Sequence, residues 1–277
     1  MKFRRSRQRA VGVAGGVLLA FLLSMAGAAN AQENRQERAQ RVVDECVKAL
    51  GGNAFLTMQD RTETGRMYSF DMGTGKMGGG IYVTLYTQYL TPVPGKFAMR
   101  IRQIFGLHQD EGGVLITPEN GWDISFHGAR PMDDETFANY KDSAIRGIFY
   151  ILRQRLKEPG MSFYSQGGDI FEHVPVDIVD ITDDSNNTVT VYFDRITHLP
   201  IRQTFRRRNK EFNDFDVETS SFAKYRAFNG ITLPLENRRE RNGRKIFEMF
   251  VDTETVNQGL SDNVFTLPAN LKVLKDK

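Results

Sequence analysis

Apolar residues recur along this chain first with a helical period and then, beyond Gly52, with a period of two. Ala39, Val42, Val43, Cys46, Val47 and Leu50 fall on one stripe of a helix, and Gly51-Gly52 stops it. Cys46 lies in that stripe and reads as a small packed hydrophobe. After Gly52, Met67 to Asp71, Ile81 to Thr87 and Phe97 to Ile101 alternate between two faces, as strands do. Val114 to Thr117 and Trp122 to Phe126 flank Asn120-Gly121, a pair that favours a hairpin turn because both residues tolerate positive φ. A second helix follows. Asp133 or Asp134 caps it, Phe137, Tyr140, Ala144, Ile148, Phe149, Leu152 and Leu156 form its apolar face, and Pro159-Gly160 ends it. Strands then resume to Val251, punctuated by Asn186-Asn187, Asn229-Gly230 and Asn242-Gly243.

The pattern predicts an α+β chain, mainly antiparallel β. Its expected form is a curled, unclosed barrel of about ten strands with two helices packed on it as a lid. Residues 34–268 contain no linker-like stretch, so residues 32–277 are expected to form one domain.

The first 31 residues read differently. Lys2, Arg4, Arg5, Arg7 and Arg9 precede the uncharged run Ala10–Leu23, and Ala29-Asn30-Ala31 is a small-x-small site. Together these spell a secretory signal peptide cleaved after Ala31, which in a Gram-negative cell delivers the chain to the periplasm. The segment also changes the charge balance. The whole chain carries 37 basic and 34 acidic residues; without those five, 32 basic face 34 acidic, a net of −2. A nucleic-acid partner is therefore not expected. A single Cys excludes a disulfide scaffold or a Cys-based zinc site.

Catalytic signatures are missing. Gly73-Thr74-Gly75-Lys76-Met77-Gly78 fits G-x-G-x-x-G, but it leads into a strand and not a helix, so it reads as a hairpin loop. His108, His127, His173 and His198 are scattered, without helical i, i+4 spacing. Neither a metal site nor a cofactor is expected. What is abundant is apolar bulk on strands, with 20 Phe residues. A large curled sheet that its helices only partly fill would leave an apolar cavity.

The order of several short features is similar to the lipoprotein carrier (LolA/LolB-like) superfamily, including its outer membrane lipoprotein-sorting relatives. These features are Ala49-Leu50-Gly51-Gly52, Pro94-Gly95-Lys96-Phe97, Asn120-Gly121-Trp122, His198-Leu199-Pro200-Ile201-Arg202, Phe228-Asn229-Gly230-Ile231-Thr232-Leu233-Pro234 and Asp262-Asn263-Val264-Phe265-Thr266-Leu267-Pro268. The resemblance implies an unclosed antiparallel barrel with a helical lid over an apolar cavity. It also implies shielding of the acyl chains of lipids or lipoproteins in transit. The single cavity arginine of that superfamily matches no one Arg here, so the resemblance assigns no headgroup residue.

The resulting expectation is an exported, non-enzymatic carrier or binder of acyl chains, monomeric, with lipid or acylated lipoprotein as cargo and a membrane-associated donor or acceptor as partner. Phe70, Val83, Leu85, Met99, Ile101, Trp122, Ile124 and Phe149 are the expected cavity residues, subject to the choice of strand face. Arg238, Arg239 and Arg241, beside the Asn242-Gly243 turn, are expected to meet a headgroup or an acidic partner. Two alternatives remain open. One is a periplasmic sensing or interaction module that uses the basic hairpin. The other is a cofactor-free enzyme with a site assembled from His127, Tyr140 and Glu172.

Overall fold

The computed structural model describes residues 35–107, 112–209 and 212–275. The expected signal peptide and His108 lie outside them. Helix α1 covers residues 35–49. Its whole apolar stripe, Ala39 to Leu50 as read above, is buried, with Cys46 fully enclosed. Burial pushes the Cys46 thiol well above its ordinary pKa, so it stays protonated and unreactive. The helix ends where Gly51 adopts φ 121° and passes so close to the chain that a Cβ would lie 2.3 Å from the Gly230 carbonyl oxygen. Thr232 N donates to Leu50 O across the same junction (2.9 Å). A short helix, α2 (Asn53–Leu56), then turns the chain and buries Phe55.

Six strands follow: β1 (Asp60–Ser69), β2 (Ile81–Tyr89), β3 (Met99–Phe105), β4 (Gly113–Ile116), β5 (Gly121–Ser125) and β6 (Gly128–Pro131). Then come α3 (Asp134–Ile145) and α4 (Ile148–Tyr150), with a π-helical turn over Ile151–Arg155. Seven more strands complete the sheet: β7 (Ser162–Phe171), β8 (Val174–Thr182), β9 (Thr188–Asp194), β10 (Pro200–Asn209), β11 (Asp214–Phe228), β12 (Ile231–Arg241) and β13 (Arg244–Val256).

The thirteen strands form one antiparallel sheet in the order β6-β5-β4-β3-β2-β1-β13-β12-β11-β10-β9-β8-β7. Every sequential pair of strands is hydrogen-bonded except β6 and β7, which are the two edges. The segment between them must carry the chain from one edge of the sheet to the other. That segment is α3–α4, and this crossing puts the helices over the inner face. β1 and β13 make the long-range pair in the middle, from Arg61 opposite Val256 to Ser69 opposite Phe247, with a bulge between Thr64 and Gly65.

The expected fold class holds, with thirteen strands where about ten were counted. The missed strand β6 is four residues long and contains Gly and Pro, which signal poorly for β. The second helix is not continuous. Asp133 caps α3 by accepting from Thr136 N (2.8 Å), but Gly147 at ψ 131° breaks the helix before Ile148. The Asn120-Gly121 hairpin also differs in detail: its turn is Thr117–Asn120, closed by Thr117 N donating to Asn120 O. Gly121 begins the next strand, where a Cβ would lie 2.8 Å from Phe137 and 2.9 Å from Met132 Sδ.

Two apolar clusters result. The larger joins α1, Phe55, Ile148, Ile151 and Leu152 to the inner residues of β8–β12, among them Val179, Ile181, Val191, Phe222 and Leu233. The smaller joins Phe97, Met99, Ile101, Ile116 and Tyr150 to Phe137, Tyr140 and Ala144 of α3.

Replacing Gly51 tests the docking of α1. Gly51→Ala meets both a left-handed φ and a backbone clash, and should cost on the order of 1–3 kcal/mol in urea denaturation. Gly52→Ala, at φ 58° with nothing within 4 Å, should cost about 1 kcal/mol. Equal losses would show that the approach to Gly230 is not what holds α1.

Candidate functional site

A cavity of about 480 Å³ lies on the inner face, between the two clusters and beneath α3. Met99 and Ile101 of β3 line it together with Gln203 and Phe205 of β10, although five strands separate β3 from β10 in the sheet. Only a strongly curled sheet brings those strands together. Met67, Phe222 and Phe247 supply more of the apolar wall, and Ala144, Ile148 and Phe149 close it from the helices. A separate recess of about 390 Å³ lies outside the lid, between the Pro92–Pro94 loop and the π-helical turn, and shares Tyr150 with the cavity.

Strand register decides which expected residues reach the cavity. Met99, Ile101 and Phe149 line it. Leu85 stands opposite Gln103 on the same face and packs against the smaller cluster. Val83 is buried two residues further along that face. Trp122 and Ile124 have the opposite parity. On β5 the inner positions are Gly121 and Asp123, opposite Ile116 and Val114, so Trp122 and Ile124 point to the outer face with Leu115. That end of the sheet is covered from outside as well. Leu115 and Ala129 are buried, and the C-terminal segment bridges Ala129 at Val273. Strands buried on both faces lose the alternation that distinguishes inside from outside. Phe70 lies one residue beyond β1, beside the Gly73–Gly75 loop, with Lys245 over its ring at 5.0 Å.

The same alternation separates the three arginines of the β12–β13 hairpin. Arg239 faces the cavity. Arg238 points to the outer face, where Nε donates to Glu248 (3.1 Å). Arg241 lies on the inner side, and its Nε donates to Glu218 Oε1 (2.8 Å). The basic cluster is therefore two kinds of site and not one patch. His127 and Glu172 sit in the β5–β6 and β7–β8 turns at opposite edges of the sheet, so the structure does not bring them together with Tyr140. Among the described residues, no group of three or more His, Cys, Asp or Glu is arranged to hold a metal ion.

Sequence reasoning missed a buried charge cluster on the cavity wall. Arg61 donates to both oxygens of Glu254 (2.8 Å each) and pairs with Glu63 (2.8 Å). All three are inner-face positions at the end of the β1–β13 ladder where Arg61 stands opposite Val256. One guanidinium serves two carboxylates. Burial, opposed by Arg61 and reinforced by Glu254, pushes the Glu63 carboxyl up to about 7. Arg61 itself is buried, which works against its charge, but the two carboxylates outweigh that and fix it as a cation. The only sequence signal was a charged residue at alternate positions of a strand with few inward apolar residues. That pattern is indistinguishable from a solvated face until the pairing is known.

No protein-family model matches the chain, and no curated protein matches it in sequence. Solved structures do match in fold. A DUF1329 family protein from Desulfovibrio piger superposes with a TM-score of 0.55 at 16% identity, over 82% of this chain and 97% of that one. A chain described as an outer membrane lipoprotein-sorting protein domain, from Vibrio parahaemolyticus, gives 0.52 at 13%, over 84% and 97%. A LolA superfamily protein from Nitrosomonas europaea gives 0.50 at 9%, over 82% and 97%. The chain has the LolA-like fold. At these identities the likeness concerns the fold and leaves the cargo open.

The Glu63 environment has a pH consequence. A carboxyl whose pKa is raised by folding contributes stability that is complete below its unfolded value, near 4.5, and is lost as pH rises through about 7. Glu63→Gln holds the position neutral at every pH. Its stability should therefore rise against the wild type between pH 5 and pH 8, by on the order of 1–3 kcal/mol. Parallel Tm–pH curves for the two proteins would contradict the assignment.

Proposed function

We propose that this chain is an exported, non-enzymatic carrier or binder of the acyl chains of lipids or lipoproteins, working in the periplasm. The observation that carries the reading is the cavity of about 480 Å³, whose walls include Met67, Met99, Ile101, Phe149, Phe205, Phe222 and Phe247. Its volume is in the range of ordinary ligand pockets. Each methylene transferred into such a wall gains about 0.8 kcal/mol, so an acyl chain has a strong reason to leave water for it. Three methionine and aromatic features suit a flexible cargo: Met67 and Met99 adapt their shape, and the phenyl rings give broad apolar area. The likeness to a chain described by lipoprotein sorting supports the reading. The expected signal peptide and the domain boundary at residue 32 belong to the same proposal. Among the described residues no helix is long and apolar enough to cross a membrane.

The lid reading follows from the crossing segment. α3 contacts the smaller cluster through Phe137, Tyr140 and Ala144, and none of its residues is fully buried. Gly147 separates it from the deeply buried Ile148–Leu152 stretch. α3 is held to β10 by Arg207, which donates to Asn139 O (3.2 Å) and pairs with Asp142 (3.6 Å), so a movement of α3 that admits cargo must release those polar contacts.

Purification of the exported chain without detergent, followed by extraction and lipid mass spectrometry, tests the proposal. Stoichiometric acylated material is expected, and a lipid-free preparation that also fails to take up a fluorescent fatty acid would end it. Ala144→Phe places a ring in the cavity from α3 and should weaken that uptake at least tenfold with little change in Tm.

A further inference from the structure

Away from the Arg61 cluster the cavity has a second polar stretch, on β11 and β12, whose groups are not paired with one another. On β11 and β12 the inner-face pairs are Asn237 opposite Phe222, Arg239 opposite Ser220, and Arg241 opposite Glu218. Arg239, Ser220, Asn237 and Glu218 all line the cavity, and Tyr140 of α3 joins them. Among the described residues, the Arg239 side chain has neither a hydrogen bond nor an ion pair. The nearby carboxylates are already engaged. Glu218 Oε1 takes Arg241 at 2.8 Å and Arg207 at 4.0 Å, while Asp142 takes Arg146 at 2.8 Å and Arg207 at 3.6 Å. Two acceptors are also left over. Glu218 has only 3% of its side chain exposed, yet its Oε2 has no partner, and neither has Asn237 Oδ1.

A free cation beside two free acceptors, in an apolar pocket, is complementary to a head that carries an anion and a donor together. We propose that this wall binds the head of a phosphoethanolamine lipid. The phosphate accepts from Arg239, and the ammonium donates to Glu218 Oε2. The spacing suits such a head. Same-face neighbours along a strand are about 6.8 Å apart, so Arg239 lies one step from Glu218 on the adjoining strand, with Asn237 one step away on its other side. Tyr140, whose hydroxyl burial keeps neutral with a pKa pushed up to about 12, is a further donor to the phosphate. A ligand with an anion alone leaves Glu218 Oε2 unmet, and one with a donor alone leaves Arg239 unmet. The inference rests on the acyl-binding reading and names its cargo class.

The test compares four ligands with the same fluorescent acyl chain on the delipidated protein: phosphatidylethanolamine, phosphatidylglycerol, phosphatidic acid and diacylglycerol. Phosphatidylethanolamine is expected to bind at least tenfold more tightly than phosphatidic acid or diacylglycerol. Arg239→Gln should remove about tenfold of that affinity and leave diacylglycerol unchanged, with Arg239→Lys restoring part of it. Glu218→Gln should lower the ratio of phosphatidylethanolamine to phosphatidic acid, a readout that a general loss of structure does not move. Failure of all four ligands to bind would remove the carrier reading and this inference with it. Diacylglycerol binding without a phosphatidylethanolamine preference, or a ratio unmoved by Glu218→Gln, would overturn the headgroup assignment alone. Equal or tighter binding of phosphatidylglycerol would also overturn it, with hydroxyl donors taking the place of the ammonium.

Discussion

Everything in this fold depends on how the inner face of one very wide sheet is kept from water. Thirteen antiparallel strands in one sheet present an apolar surface that no single helix can cover. α1 covers one part, with its stripe set against the inner residues of β8–β12. The chain then has to travel from the β6 edge to the β7 edge, and the segment that makes this journey covers another part. A sheet that closed on itself would have no edges to connect and no crossing segment to serve as a cover. Openness and lid are two results of one topology. The cavity is the space that the crossing segment roofs without filling.

The polar groups follow from the same geometry. Strands that cross the middle of the sheet must put alternate residues inward, whatever those residues are. β1 therefore sends Arg61 and Glu63 into the interior, where the Arg61 guanidinium is shared between Glu63 and Glu254, which arrives from β13. Removing Arg61 would leave two buried carboxylates without a counter-ion, so the cluster depends on that one cation. The β11–β12 wall is built differently. Its charges are not all matched inside the protein, although the backbone around them is regularly paired. The first arrangement is that of a structural cluster, and the second is that of a surface waiting for something.

Much of this was legible in the sequence because the signals were local. The α1 stripe, its Gly51-Gly52 stop and the Asn-Gly turns at 229–230 and 242–243 depend on residues close together in the chain, and in each of those two turns both residues take positive φ. The helix over 134–156 was half legible. Its apolar spacing is continuous, but Gly147 carries an extended backbone that periodicity does not register. Strand faces were the least legible. Met99 and Ile101 sit where one face is lidded and the other is half-exposed, so alternation is visible. Trp122 and Ile124 sit where the outer face is covered as well, so apolar residues occur at both parities and a choice of face has no local basis. The hairpin arginines show the same limit: Arg238 and Arg239 are adjacent in sequence and on opposite sides of the sheet.

The pocket is an argument about selection as much as about packing. A core of this size fills readily when filling is all that is required, because Leu at Asn237 would add apolar contact and remove an orphaned polar atom. Instead the inner wall holds Ser220, Asn237, Glu218 and Arg239 beside Phe205, Phe222 and Phe247, polar and apolar groups in neighbouring pairs. Ordinary folding stability gives no reason for that mixture, since each unpartnered buried group costs on the order of 1–3 kcal/mol. An amphiphile gives a reason for both halves at once. Its tail rewards the rings and methionines, its head rewards the polar atoms, and both line one cavity beneath α3.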